Sequence, residues 1–157
     1  MKRLFTVRGW AQVALVTTAF GWLGAAPANE LDPKAISFQN LSEVKWVESR
    51  NGASASALIT GDPTKEGLYV TLQKWHPHHN STPHSHPHDR FIMVLSGTWW
   101  VGTGPNYDMN STVPMTAGTM VTHFANQLHY DGAKDDECVL EIVGMGPATS
   151  TAANAKQ

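Results

Sequence analysis

At 157 residues, 41% of them hydrophobic, the chain is long enough to bury the core of one domain and short for two. Lysine and arginine number 11 against 13 aspartate and glutamate, a balance that argues against nucleic acid or an anionic membrane as partner. Cys138 is the only cysteine, which excludes an intramolecular disulfide.

The chain opens with Lys2, Arg3 and Arg8, continues through an apolar run at residues 11–23, and reaches Ala26-Pro27-Ala28. A positive start, an apolar middle and a small-x-small site are the pattern of a secretory signal peptide over residues 1–28. The apolar run is shorter than the about 20 residues that span a bilayer, so cleavage is expected rather than anchoring. Without the three leader cations the balance becomes 8 against 13, a net charge of −5. With no cysteine at the cleavage site to carry a lipid, the expectation is a periplasmic or secreted protein without a membrane anchor.

From there the chain reads as β-rich. Strand-length apolar, β-branched and aromatic runs fall at residues 55–60, 68–75, 91–95, 98–101, 119–123 and 138–143. The breaks between them carry turn chemistry: Gly61-Asp62-Pro63, Gly104-Pro105-Asn106, Pro114 with Gly118, and Asp131-Gly132. No sustained helical stripe follows the leader, so the pattern predicts an all-β sandwich or barrel. Residues 147–157 are small and polar and are expected to fray. Trp99 and Trp100 are adjacent, so one is expected to face in and the other out. Cys138 and the methionines Met93, Met115, Met120 and Met145 read as core filler.

Six of the eight histidines lie between His76 and His88. Such density is compatible with a loose, solvent-facing metal-binding loop. His84 and His86 stand out, because a spacing of two puts both imidazoles on one face of an extended strand. A catalytic metal usually takes at least three protein ligands, and His129 is the obvious third.

These residues resemble the cupins. Their two motifs are G-x5-H-x-H-x3-E-x6-G and G-x5-P-x-G-x2-H-x3-N. His84, His86, position 90 and Gly97 reproduce the first spacing, and Gly118 with His129 the second. Residues 83–102 look like small single-domain bacterial cupins throughout, and the likeness extends over about residues 59–146. The resemblance implies a single-domain β-barrel of the double-stranded β-helix or jelly-roll type over residues 29–146. It also implies one divalent transition metal (Fe, Mn, Ni, Cu or Zn) on His84, His86 and His129. The activity it implies is either that of a metal-dependent oxidoreductase or lyase acting on a small organic acid or phenolic compound, or non-catalytic binding of a small ligand or metal. Cupins often pair, so a homodimer is expected.

The chain departs from the motifs in several places. Arg90 stands at the glutamate that usually completes the metal shell, and arginine has no lone pair to offer. His78 and Asn126 stand at motif glycines, Phe124 at the proline and Ala133 at the asparagine. Three accounts of Arg90 are open. His88 or His123 could supply the fourth ligand. Three histidines could leave positions open, with Arg90 binding an anionic substrate. Or no metal binds, and Arg90 pairs with Asp131, a residue that could otherwise orient a histidine or act as a base.

Overall fold

The computed structural model describes residues 31–153; the expected leader and residues 154–157 lie outside them. Residues 31–38 form a unit of their own, a turn in which Ala35 and Ile36 both donate main-chain bonds to the Asp32 carbonyl. From residue 39 onward the second unit is β-structure, with two short 3-10 turns at Leu41–Glu43 and Met109–Ser111. In chain order its strands are β1 (Val47–Glu48), β2 (Ser54–Thr60), β3 (Gly67–Trp75), β4 (His84–Ser85), β5 (Arg90–Ser96) and β6 (Thr98–Thr103). They continue with β7 (Val113–Thr116), β8 (Met120–His123), β9 (His129–Gly132), β10 (Cys138–Gly146) and β11 (Thr151–Ala152).

Two antiparallel sheets result, one ordered β1-β2-β3-β10-β5-β8 and the other β11-β4-β9-β6-β7. All six predicted runs are strands, and the all-β expectation holds. Alternation explains which residues face the core: Ile92 and Val94 on β5, Cys138 and Leu140 on β10, Trp99 and Val101 on β6. Both sheets thus contribute to one apolar cluster, each large side chain worth about 1.5–3 kcal/mol of burial. Trp99 is buried, while Trp100 points away and carries the Lys134 ammonium 3.7 Å above its ring. Cys138 is fully buried, and burial pushes its thiol pKa up to about 12, consistent with an inert core residue. Met115 packs on the cluster, but Met120 and Met145 are 76% and 51% exposed, so they are not core filler.

In the segment after Pro147, expected to fray, residues 148–153 make main-chain bonds. Thr151 and Ala152 pair with Ser85 and His84, and Ala148 N–H and Ala153 N–H donate to the carbonyls of Pro63 and Pro83. These main-chain bonds hold a segment whose small side chains bury little.

Between β5 and β6 the chain passes from one sheet to the other at Gly97, where φ is 71° and any Cβ would collide with the Glu137 carbonyl. This is the closing glycine of the first motif. His78 and Asn126, at two other motif glycine positions, are the only non-glycine residues with positive φ among the described residues, at 63° and 60°. The motif glycines there answer a backbone requirement that this chain meets with strain. A left-handed L-residue costs about 1–2 kcal/mol, offset in part by the greater unfolded freedom of glycine. His78→Gly should therefore stabilise the protein by about 0.5 kcal/mol and raise Tm by about 1–3 °C, with Asn126→Gly giving less. A calorimetric scan in which His78→Gly lowers Tm would show that the His78 side chain contributes more than its backbone costs.

Candidate metal centre

Strand β4 is two residues long and lies between β9 and β11, with His84 directly opposite His129. His84 and His86 project to the same side, as their spacing requires. The ring centroids of His84, His86 and His129 lie 4.5–5.4 Å apart, and one ligand nitrogen from each falls within 4.8 Å of the others. All three are anchored in the same way. Nδ1 of His84 lies 2.8 Å from the Thr82 carbonyl oxygen, Nδ1 of His86 2.7 Å from that of Thr149, and Nδ1 of His129 3.1 Å from that of Gln127. A carbonyl oxygen only accepts, so each Nδ1 carries the proton and each Nε2 keeps a lone pair. The His86 Nε2 is buried without a hydrogen-bond partner. Three oriented imidazole lone pairs, one of them unsatisfied, fit a divalent transition metal.

Arg90 and His123 come from the other sheet. Tyr69, Gly144, Arg90 and His123 form one cross-strand row over β3, β10, β5 and β8. Arg90 Nη2 donates to His123 Nδ1 at 3.1 Å and to His129 Nε2 at 3.4 Å. Its Nε is buried without a partner, and among the described residues no carboxylate lies within 4.0 Å of the guanidinium. The direct Arg90–Asp131 ion pair is therefore not formed, although their charges act on one another at longer range.

The two candidates for a fourth histidine separate. His88 is exposed and outside the cluster. His123 is buried, its ring centroid 3.8 Å from that of His129, and it forms a second group with His129 and Asp131. Its Nδ1 accepts from Arg90 at 3.1 Å, which leaves the proton on Nε2; the same Nη2 reaches His129 Nε2 at the longer 3.4 Å, a contact that His129 has to exchange for an ion if it is a ligand.

Burial, and then the Arg90 charge, lowers the His86 pKa to about 4. Burial, and then His84, lowers His129 to about 3. His123 is pushed down further by burial and by His129. Desolvation raises the Asp131 carboxyl against the opposing pull of His84 and Arg90. These imidazoles are thus neutral near pH 7, the state in which they bind metals.

A cavity of about 590 Å³ is lined by His84, His86, Arg90 and Asp131, with Trp75 and Trp99 also in its wall. His129 is 4% exposed and does not line it. Ser150 and Ala152 also line the cavity, and sequence reasoning missed both because their composition suggested a loose tail. The remaining described histidines do not gather. His76 Nε2 is 3.0 Å from Glu48 and Nδ1 3.4 Å from Glu137, and His78 and His79 face solvent.

No family model matches the chain, and neither does any curated protein. Solved structures do. The polyketide cyclase RemF of Streptomyces resistomycificus superposes with a TM-score of 0.64 at 15% identity, over 78% of this chain and 88% of that one. A cupin-2 domain protein of Rhodospirillum rubrum gives 0.58 at 13% identity, over 74% and 79%. A DMSP lyase of Ruegeria pomeroyi gives 0.57 at 12% identity, over 74% of this chain but 64% of its own. At these identities the likeness is one of fold.

The lowered histidine pKa values carry a pH dependence. Folded-state values of about 4 for His86 and 3 for His129 lie below the ordinary 6.5, so between these limits the unfolded chain binds more protons than the folded one. The stabilisation is present above 6.5 and is lost as pH falls. Metal-free protein should therefore hold its Tm from neutral pH upward and lose it steadily below 6.5. A Tm unchanged down to pH 4.5 would show that the site takes up protons without cost.

Proposed function

We propose, for a chain that has the double-stranded β-helix fold of the cupins, that it is an exported metal-dependent lyase acting on a small anionic organic molecule. A carboxylic acid or an ionised phenolic compound would suit the site. One observation carries this reading: three histidines with committed Nδ1 protons converge beside a half-buried arginine that has no carboxylate partner, and His84, His86 and that arginine line one cavity.

His84, His86 and His129 would hold the ion through Nε2. When bound, a divalent metal supplies Lewis-acid polarisation of a substrate oxygen. Arg90 is a permanent cation, and its planar fork suits a carboxylate or phenolate. Metal and arginine together outweigh the single negative charge of Asp131, so an anionic ligand is what balances the centre. Asp131 lines the same cavity with a raised pKa, which makes its carboxylate a stronger base than an exposed one. A proton removed from the carbon beside the anchored anionic group would pass to an Asp131 oxygen, and the C–H electron pair would form a carbon–carbon double bond as a substituent on the next carbon departs with its own bonding pair. The polyketide cyclase and the DMSP lyase are neighbours in fold that support chemistry on small molecules. A non-catalytic loop chelating metal through the His76–His88 stretch is less favoured, because only two of its six histidines reach the centre.

Elemental analysis should find one tightly held transition metal per untagged chain, and the His84→Ala/His129→Ala variant should lose it while remaining folded. Retention of that equivalent by the double variant would place the metal elsewhere. Arg90→Gln should keep the metal and weaken binding of small aromatic carboxylates by about ten- to a hundredfold, the worth of a hydrogen bond to a charged group. Arg90→Glu should tighten metal binding by restoring the glutamate of the motif, and weaker binding there would make Arg90 structural. N-terminal sequencing of protein from the periplasm should begin at Asn29.

A further inference from the structure

Residues 147–153 have exposed or half-exposed side chains, yet they make contacts that concern the metal centre directly. The Thr149 carbonyl accepts from His86 Nδ1 at 2.7 Å, and no other hydrogen bond of the His86 ring is present. Thr151 and Ala152 flank Ser85 and His84, so β11 supports one side of β4 while a single residue pair, His84 with His129, supports the other. Ser150 and Ala152 wall the cavity. The segment itself is held by main-chain bonds at its two ends, Ala148 N–H to Pro63 and Ala153 N–H to Pro83, at 2.7 and 2.9 Å.

We propose that this C-terminal segment is a positioning strap for the centre: docking of β11 fixes the proton on His86 Nδ1, and occupancy of the centre in turn holds the strap down. The inference rests on the reading of His86 as a metal ligand, but its first consequence concerns the imidazole alone. In water a neutral histidine favours the proton on Nε2, the nitrogen needed for the ion. The Thr149 carbonyl reverses that preference and stops the ring from turning. A segment with little buried surface opens locally at small cost, so a ligand that favours the docked form shifts its opening measurably. By linkage, whatever the strap contributes to metal affinity, the metal returns to strap docking.

The test uses two disruptions and a control in the full protein. Deleting residues 148–157 removes the strap. Ala153→Pro removes the N–H that latches its end to Pro83 and puts the proline ring against that carbonyl, and Ala153→Gly keeps the N–H. Nitrogen NMR of the metal-free protein at alkaline pH reads the His86 tautomer, cobalt(II) titration reads affinity, and amide exchange reads the strap. The intact protein and Ala153→Gly should show the proton on Nδ1. The deletion and Ala153→Pro should shift it toward Nε2, weaken cobalt by about tenfold or more, and leave Tm within a few degrees. Cobalt should slow amide exchange at residues 148–153 in the intact chain. Should the deletion fail to fold, Ala153→Pro carries the comparison. An unchanged His86 tautomer in the disrupted variants overturns the strap. A tautomer that shifts while intact protein fails to bind cobalt upholds the strap and overturns the metal reading instead.

Discussion

The register of β10 is the constraint on which the rest depends. This strand pairs with β3 along its whole length and with β5 on its other edge, and it places Gly144 between Tyr69 and Arg90. One residue of slip would turn Arg90 outward and move Ile92 and Val94 off the core face. The row has no slack at Gly144, where a Cβ would sit 2.7 Å from the Tyr69 hydroxyl. Beyond Arg90 the same row reaches His123, whose ring packs on His129 of the opposite sheet. Sheet pairing, core packing and the centre are therefore consequences of one alignment.

Within that frame the electrostatics are unusual. A half-buried arginine side chain enters a cluster of half-buried and buried imidazoles and finds nitrogen acceptors where a carboxylate would be expected. Burying an unpaired charge costs several kcal/mol, and hydrogen bonds to neutral rings offset only part of that. The same positive charge helps keep His86 and His129 neutral, which prepares them for an ion. In the proposed reading a fixed cation stands where a fourth protein ligand would, and the negative charge would arrive with whatever binds.

Much of this was legible in the sequence, and what was missed has physical reasons. Strands β2, β3, β5, β6, β8 and β10 announce themselves as apolar, β-branched and aromatic runs. Strands β4 and β11, two residues each, are too short to show a period. Strand β9 is buried along its whole length and shows no alternation, and β7 contains Pro114, which is tolerated because β7 lies at the sheet edge. Spacing brought His84, His86 and His129 together correctly. It could not show that Arg90 lacks an ion-pair partner, because that depends on where Asp131 points. Nor could composition reveal the strap, since main-chain bonds leave no mark on side-chain chemistry.

The division of labour among the histidines has a practical side. His78, His79 and His88 stand in solvent on the same stretch of chain that delivers His84 and His86 inward. Exposed imidazoles on one stretch are weak ligands for loosely held ions, so the protein should stick to nickel resin without a tag and carry off ions that exchange readily. Metal found after a simple wash would then sum two populations, an interior one governed by the fold and a superficial one governed by the buffer. Only the fraction that survives a competing chelator describes the centre.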